Sequence, residues 1–525
     1  MRKQTVPDSN HSAKHILIII GLTAVYRALY VGSFDVSTDE AYYWMWSVRL
    51  DWGYVDHPPM VAYVMWLANA LTDEAPWAWR ASAIAISCAS SWLVFCTGRK
   101  LFSARAGFWA ALPLTLSPLY CMALGFILLP ESLLIFWTAL ALYLAAKMIT
   151  EHRPALFYPL GAVFGLGLSS NPPAMLIPTG LVLFCLLSKP HRHWFRRKEP
   201  YLGVLLGFLV FAPVVYWNWQ HDWAGFLFLS ERTEVGDANA APGLGLAWQT
   251  IFFQAMYHTP VTFVLLWTGV VLGFRSLRRR ADARILLLLC FSLPLLCIFL
   301  TVASLRTTQA HWPTSAYLAL YVLFPAIAFH EGFRWSRAKR ALAAGTLGLA
   351  VLPSVLMPVM LGYPLLSVTL EYLEPYVSTP PDAVEPLAQS EGWGREIRAG
   401  LIAARERIAA EEGEPPVILT HFNVLAGLLS YYLRDVCEVV SVHAQARQYN
   451  VWYDDDDLRD RSVLFVSAEL FDRPSAGSGR PEDYYSFGEC NELPAIEVVR
   501  HGRLINRVHL WLCRGYNGPA QKDGA

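Results

Sequence analysis

Acidic residues and a histidine gather in one short stretch near the start of the chain, Thr38–Met60. Asp39 and Glu40 are adjacent, and Asp56 and His57 precede two prolines. The stretch follows an apolar run, so these groups lie at a membrane boundary, where carboxylates usually pair, bind a metal or do chemistry. A carboxylate there can act as a general base, and a cation can hold a phosphate. The alternative is a solvated loop whose aromatic residues form an interfacial belt.

The elements that must position these residues are membrane helices. The 525 residues are 55% hydrophobic and 16% charged, which is typical of a polytopic membrane protein. The formal net charge is zero, so no nucleic-acid partner is expected. About eleven apolar runs have the length of a span. They lie near 14–32, 79–98, 106–127, 131–149, 155–169, 172–188, 201–217, 248–274, 284–303, 313–330 and 341–361.

Two of these assignments have alternatives. The runs on either side of residues 169–173 could be one broken helix, and residues 61–71 look like a helix lying along the surface. The loop charges support the overall count, because Lys and Arg concentrate in every second loop, as the positive-inside rule requires. An odd number of spans then places the remainder, from about residue 362, on the outer side.

Residues 362–525 are predicted to form a separate small α/β domain. Short β-rich runs alternate with helical stretches, and a hairpin is expected at the end, from Ile496 to Leu512. If one disulfide exists in this region, we place it between Cys490 and Cys513, and three free thiols including Cys437 are the alternative. The acidic run Asp454–Asp457 is interpreted as a solvated loop, and a cation site is the alternative interpretation.

Further candidates lie on the same outer side as Asp39. Glu131 follows a proline at the head of a predicted span, where a carboxylate also favours the helix dipole without any other role. Arg80 and Arg306 are isolated cations that could hold a phosphate, although Arg80 could also snorkel from the end of its span. Acids, histidines and a few arginines at one boundary suit an enzyme that acts on a phosphate-bearing lipid.

Four motifs, in this order, resemble those of the GT-C glycosyltransferases of the protein mannosyltransferase superfamily. They are TDEAYYWMWSVRLDWGYVDHPPM, LLPESLL, YWNWQHDW and SLRTTQAHWP. Within that superfamily the chain is more similar to the bacterial branch that includes the aminoarabinose transferase of lipid A. The resemblance implies a many-helix membrane domain, residues 1–361, with its site facing the periplasm. It also implies transfer of a sugar from a polyprenyl-phosphate carrier to an acceptor hydroxyl, usually with inversion.

The resemblance also assigns the acids. It makes Asp39 the catalytic base, with Glu40 beside it, and it places Glu131 where the second acidic motif usually has Asp. In the turn near the fifth span, Asn171 stands where the family often has Lys. That change removes one expected cation, whereas Glu131 keeps the charge on a side chain longer by one methylene.

The cationic roles follow in the same way. Asp56 and His57 match a Glu-Lys pair before the paired prolines, which implies a metal ligand at Asp56 and a phosphate contact at His57. Arg306 and Arg80 are further candidates for contacts with the donor phosphate, only because they are positively charged and are predicted to lie on the outer side. A divalent metal ion is compatible with this set but not required by it.

The expected partners are a polyprenyl-phosphate sugar donor, membrane lipids, and a periplasmic glycan, glycolipid or protein as acceptor. The expected location is the bacterial inner membrane, with the C-terminal domain in the periplasm. A transporter or flippase is the main alternative, although its polar groups should gather at mid-bilayer in repeated halves. A receptor or scaffold whose C-terminal domain binds a partner is the second alternative.

Overall fold

The chain divides into two compact units. The computed structural model describes residues 9–32, 35–233, 244–305, 309–330, 345, 352, 392–443, 445–459, 461–468, 479–500 and 503–520. The membrane unit consists of Met1–Val31 and His57–Pro358, and the α/β unit consists of Gly32–Asp56 and Val359–Ala525. The predicted domain boundary, between residues 361 and 362, lies close to the division between Pro358 and Val359. The prediction nevertheless assigned residues 32–56 to the membrane domain, whereas the structure groups them with the C-terminal residues.

Within the described residues, the apolar segments of the membrane unit are mostly helical, as their composition predicts. Its described helices are α1 (Ser9–Ala28), α3 (Met60–Thr72), α4 (Pro76–Leu101), α5 (Ala104–Thr115), α6 (Pro130–Glu151), α7 (Phe157–Leu168), α8 (Leu176–Leu187), α9 (Glu199–Gln220), α10 (Ala224–Thr233), α11 (Leu244–His258), α12 (Pro260–Arg280), α13 (Ala283–Leu305) and α14 (Thr314–His330).

Within the described part of the chain, five helices are long and apolar enough to cross a membrane. These are α4, α6, α9, α12 and α13, and a sixth is added if the bent pair Pro172–Leu187 and Lys189–Arg196 is one span. The run 341–361 lies outside the described residues apart from two isolated positions. The chain is therefore a helical membrane protein, and the count of about eleven spans stays a prediction.

One predicted run is not a single helix. The run 248–274 is divided into α11 and α12, because Thr259 has a φ of 64° and Pro260 starts the next helix. A proline has no N–H to donate and is favoured at the first position of a helix, so the chain restarts there. Hydropathy does not indicate this break, because the residues on both sides of it are apolar.

Close helix packing in the membrane unit depends on glycine. A Cβ atom added at Gly161 on α7 would lie 1.9 Å from the carbonyl oxygen of Gly203 on α9. Small residues allow helix backbones to approach in this way inside a membrane, where dispersion contacts replace the hydrophobic effect as the source of association. The α7–α9 pair therefore requires glycine at this crossing.

The α/β unit contains a five-stranded mixed sheet. The strand order is β2-β1-β3-β5-β4, with β1 parallel to β2 and β3, and with β5 antiparallel to β3 and β4. The strands are β1 (Val417–Leu419), β2 (Val439–Val440), β3 (Val463–Ala468), β4 (Tyr485–Arg500) and β5 (Arg503–Pro519). The helices are α2 (Thr38–Val48), α15 (Arg398–Glu412), α16 (Asn423–Tyr432) and α17 (Tyr449–Trp452).

The core of this unit lies around the two central parallel strands. Every residue of β1 and β3 is buried, which fits continuous apolar runs covered on both faces. The predicted terminal hairpin is present and is longer than expected, since β4 and β5 pair from Tyr485 to Pro519. A disulfide joins Cys490 and Cys513 across it, and these are the two cysteines named from the sequence.

A buried histidine makes the α/β unit sensitive to acid. His421 follows β1, is 1% exposed and stacks on Tyr484 with ring centroids 3.7 Å apart. Burial, and secondly the neighbouring His443, lower the pKa of His421 from 6.5 to about 3. The unfolded chain therefore binds a proton that the folded unit excludes, so stability is lost as the pH falls below 6.5 towards 3.

We expect the free energy of unfolding of this unit to fall by up to about 1.4 kcal/mol per pH unit below pH 6.5. The variant His421→Phe should remove most of this dependence. Hydrogen-exchange protection of the β1 and β3 amides, measured from pH 7 to pH 5, is the test. His509→Phe, at a half-exposed position, should keep the wild-type slope. A His421→Phe protein with that same slope would contradict the assignment.

Candidate active site

The paired acids Asp39 and Glu40 have different surroundings. Ser37 is the N-cap of α2, with its Oγ accepting from the Glu40 N–H at 3.3 Å. The Glu40 carboxylate in turn accepts from the Ser37 N–H at 3.0 Å, which completes a capping box. Glu40 is fully buried, whereas Asp39 is only half-buried in the first turn of the helix. Asp39 is thus the acid of this pair that is partly accessible.

The aromatic residues of this loop pack inside the α/β unit. The Trp44 ring meets Tyr431 of α16 edge to face, with centroids 5.3 Å apart. The Trp46 ring stacks on Tyr54 at 4.3 Å, and both side chains are buried. The alternative hypothesis of an interfacial aromatic belt does not describe Trp44, Trp46 and Tyr54, because these residues pack in a core that joins α2 to the C-terminal segment.

Asp56 is the acceptor of a charged network. Its side chain is 3% exposed, and its Oδ1 accepts from Arg447 Nη1 at 2.6 Å. Its Oδ2 accepts from the Tyr42 hydroxyl at 2.5 Å. Burial, and secondly the Asp56 charge, raise the pKa of Tyr42 well above its usual value, so the phenol stays protonated and donates. One residue along, the Val55 N–H donates to the Gln448 Oε1 at 2.9 Å.

The metal role predicted for Asp56 would require further ligands near its carboxylate. Among the described residues, no group of three or more His, Cys, Asp or Glu side chains could hold an ion. Asp56 already has a cation at hydrogen-bond distance in Arg447. The surroundings of Asp56 therefore do not fit a metal centre. The divalent ion stays a prediction, and no step proposed below depends on it.

Within the membrane unit, the structure brings together Glu131 and the turn at residues 169–171. The Asn171 Nδ2 donates to Glu131 Oε1 at 3.1 Å, and Glu131 is half-buried in the first turn of α6. The Met60 N–H at the start of α3 donates to the Ser169 carbonyl at 2.9 Å. The same turn thus holds the beginning of α6 and the segment that follows His57. Asn171 therefore stands at the position of the expected lysine, and its side-chain amide is hydrogen-bonded to Glu131, the second acid.

The structure describes two of the three candidate phosphate contacts, Arg80 and His57. Arg80 is 1% exposed, donates to the Val31 carbonyl at 2.6 Å and lies 5.7 Å from the Phe126 ring centroid. It is therefore enclosed by protein rather than extended along a lipid-facing surface. His57 is half-buried just before α3. Arg306 lies outside the described residues, so its role stays a prediction.

Sequence reasoning missed two groups of residues. Arg447 and Gln448 lie 391 and 393 positions from their loop partners, and no local pattern marks them. A buried polar cluster in the membrane unit was also missed. There the His258 Nδ1 lies 3.0 Å from the Tyr321 hydroxyl, and the Tyr317 hydroxyl donates to Gln254. Polar groups within apolar helices were the available signal for this second cluster.

Comparisons with known proteins agree with this architecture. Residues 56–217 match the family model described as dolichyl-phosphate-mannose-protein mannosyltransferase. The chain is 25% identical over 353 residues to the lipid A galacturonosyltransferase RgtD of Rhizobium johnstonii, which covers 64% of this chain and 71% of that protein. Its fold is similar to that of ArnT from Cupriavidus metallidurans bound to undecaprenyl phosphate, with a TM-score of 0.58 and 16% identity over 95% of this chain and 98% of that one. The chain is thus similar, in part of its sequence and in its fold, to the GT-C glycosyltransferases.

A second solved GT-C structure is similar at lower coverage. The oligosaccharyltransferase AglB from Archaeoglobus fulgidus, in complex with an inhibitory peptide and a dolichol-phosphate, matches with a TM-score of 0.52 and 11% identity. The match covers 86% of this chain and 69% of that one. Likeness at these identities shows the shared GT-C fold. The activity, the sugar and the acceptor of this protein are argued separately below.

The hydrogen bond between Asn171 and Glu131 gives a test of the second acidic motif. Asn171→Ala leaves the Glu131 carboxylate without its amide donor, and we expect the membrane unit to lose about 2 kcal/mol of stability. Because the two side chains share one bond, Asn171→Ala combined with Glu131→Ala should cost less than the sum of the single changes. Thermal unfolding in detergent measures all three variants. Strict additivity would show that the two residues do not interact.

Proposed function

We propose that this protein moves a sugar from a polyprenyl-phosphate carrier to a hydroxyl group of a periplasmic acceptor, with inversion at the anomeric carbon. The acceptor we place first is lipid A or another glycolipid, followed by other glycans and proteins. The observation that carries the proposal is a full-length GT-C fold in which Asp39 is a partly accessible carboxylate at the start of a well-anchored helix.

The relatives support the donor and the acceptor class. The ArnT structure contains undecaprenyl phosphate and the AglB structure contains a dolichol-phosphate, which are both polyprenyl phosphates. RgtD is named as a lipid A galacturonosyltransferase, and it shares sequence with most of this chain. A polyprenyl-phosphate donor and a lipid A-type acceptor are therefore the first chemistry to test.

The proposed reaction is a single displacement. The acceptor oxygen forms a bond to the anomeric carbon while the bond from that carbon to the phosphate oxygen breaks, and the bonding electrons leave with the phosphate. Asp39 takes the proton of the acceptor hydroxyl late in this step, a role that suits a carboxylate because it need only accept the proton as charge develops. Asp39 lies in the first turn of α2, where the helix dipole attracts negative charge.

The remaining residues have narrower roles in this proposal. Glu40 caps the helix that carries the base, and we assign it no proton-transfer step. Glu131 is retained as the second acid of the family pattern. His57, Arg80 and Arg306 keep their predicted role with the donor phosphate, whose developing charge a cation stabilises. The α/β unit is proposed to lie in the periplasm, with the membrane unit in the bacterial inner membrane.

The test is mass analysis of the glycolipids and outer glycans of cells with and without the gene. We expect one sugar increment to disappear in the deletion strain and to return with the wild-type gene. Lipid A is analysed first, followed by the other envelope glycans and proteins. Loss of sugars from many unrelated acceptors at once would instead favour the flippase, since a carrier supplies several transferases. An unchanged profile across all acceptor classes would contradict the proposal.

A further inference from the structure

The loop that carries Asp39 is held at both ends by residues near the other end of the chain. At its start, the Asp35 carboxylate accepts from the Gly392 N–H at 3.1 Å, and the Val36 N–H donates to the Tyr432 hydroxyl at 2.8 Å. These contacts, with the packing of α2 on α16, all lie within the α/β unit. The C-terminal segment therefore supplies the frame of the candidate catalytic helix.

The far end of the loop is fixed by two consecutive residues. Arg447 donates to Asp56 and Gln448 accepts from the Val55 N–H, so one short segment engages two neighbouring loop positions. The backbone of Arg447 has a φ of 51°, which is the left-handed region that side chains other than glycine rarely adopt. A residue held in this conformation is retained when the surrounding structure requires it.

Arg447 also reaches α2 through the carboxylate that it binds. Asp56 accepts from Arg447 on one oxygen and from Tyr42 on the other, so the three side chains form one chain of hydrogen bonds. Tyr42 lies three residues after Asp39, about one helical turn away on the same helix. The position of Tyr42 thus determines where the first turn of α2 presents Asp39.

The length of α2 explains why this anchoring matters. The helix has 11 residues, and isolated helices of that length are marginal in water. A general base must lie within about 3 Å of the proton that it abstracts. A displacement of about 1 Å at a catalytic group can cost about a hundredfold in rate.

We propose that Arg447 is a positioning residue for sugar transfer, an inference that rests on the proposed function. Arg447 holds Asp39 in place through Asp56 and Tyr42. It acts through other side chains, and its loss changes the rate of the transfer step. The affinity for the donor is expected to stay the same. This property separates it from the candidate phosphate contacts, whose loss would weaken donor binding.

The experiment uses the full-length protein in liposomes. It is titrated with the lipid-linked sugar fraction extracted from the source cells, and the acceptor is glycolipid from the deletion strain. We expect Arg447→Gln and Tyr42→Phe to lower the maximal rate by up to about a hundredfold, with the half-saturating donor concentration changed by less than about twofold. Arg447→Lys should recover part of the rate, because it keeps the charge but not the forked geometry. Affinity for added undecaprenyl phosphate should stay at the wild-type value.

The control is Arg459→Gln, which removes an exposed ion pair with Asp456 in the same unit and should leave the rate unchanged. A wild-type maximal rate in folded Arg447→Gln would overturn the inference, as would a weaker donor affinity at unchanged maximal rate. If Arg447→Gln does not fold, Tyr42→Phe decides, because it removes only one hydroxyl group. Activity of Asp39→Asn in the same assay would show that another group takes the proton, whereas absence of sugar transfer by the wild-type protein would refute the proposed function itself. An inactive Asp39→Asn beside a fully active Arg447→Gln would refute only this inference.

Discussion

Replacing Asp39 by asparagine is expected to abolish sugar transfer while leaving the protein folded. Asparagine has nearly the same shape as aspartate and still suits the first turn of a helix, but it cannot accept the acceptor's proton. Loss of a general base lowers the rate by about a hundredfold to ten-thousandfold. The transfer rate per folded molecule, measured with lipid-linked sugar and glycolipid acceptor, is the readout.

The control for this variant lies in the same loop. Asp51 Oδ1 accepts from the neighbouring Trp52 N–H, and we assign the residue no chemical step. Asp51→Asn should therefore keep the wild-type rate. Wild-type turnover by well-folded Asp39→Asn would show that another group takes the proton, and the assignment of the base would be wrong.

The second large effect is expected at Gly427 on α16. A Cβ atom there would lie 2.9 Å from the Tyr42 Cα and 3.0 Å from the Tyr42 backbone nitrogen, so no side-chain rotation relieves the contact. Gly427→Val should push α2 away from α16, with a stability cost of about 3 kcal/mol in the α/β unit. Transfer should be lost with it, because Asp39 is displaced. Hydrogen exchange of the α2 amides reports the displacement directly.

The matched change is Gly488→Val. Gly488 is exposed on β4, and an added Cβ would meet its nearest neighbour at an ordinary 3.5 Å. Valine is also favoured in strands, so this variant should keep both stability and transfer. Normal α2 protection and normal transfer in Gly427→Val would contradict the view that packing on α16 positions the catalytic helix.

The helices of the membrane unit were largely predictable, because hydropathy and length suffice where apolar runs are long. The predicted strands around Val417 and Val463, and the terminal hairpin, also appear in the structure. The break at Thr259 was not predicted, since it depends on one backbone conformation inside a continuous apolar run. The number of spans was not settled either, because residues 341–361 fall largely outside the described part.

The sequence could single out candidate site residues, whose roles stay predictions, but it could not show which residues hold them in place. Asp39 and Glu131 stand out because acids at the ends of apolar runs are rare. The capping role of Glu40 was readable from Ser37, since Ser-x-x-Glu is the capping-box pattern, but adjacency to Asp39 favoured a catalytic reading. Arg447 carried no local signal, because its partner Asp56 is 391 positions away and only the folded α/β unit brings them together.

We propose that the protein transfers the sugar, with cleavage of the bond between the anomeric carbon and the phosphate oxygen, and does not transport the lipid-linked sugar. The most direct measurement uses purified protein in liposomes with lipid-linked sugar and glycolipid acceptor, and it follows the free polyprenyl phosphate and the acceptor mass together. We expect one polyprenyl phosphate to be released for each sugar gained by the acceptor, and Asp39→Asn to produce neither product. Movement of intact lipid-linked sugar across the bilayer, with no free polyprenyl phosphate and no gain in acceptor mass, would contradict the proposal.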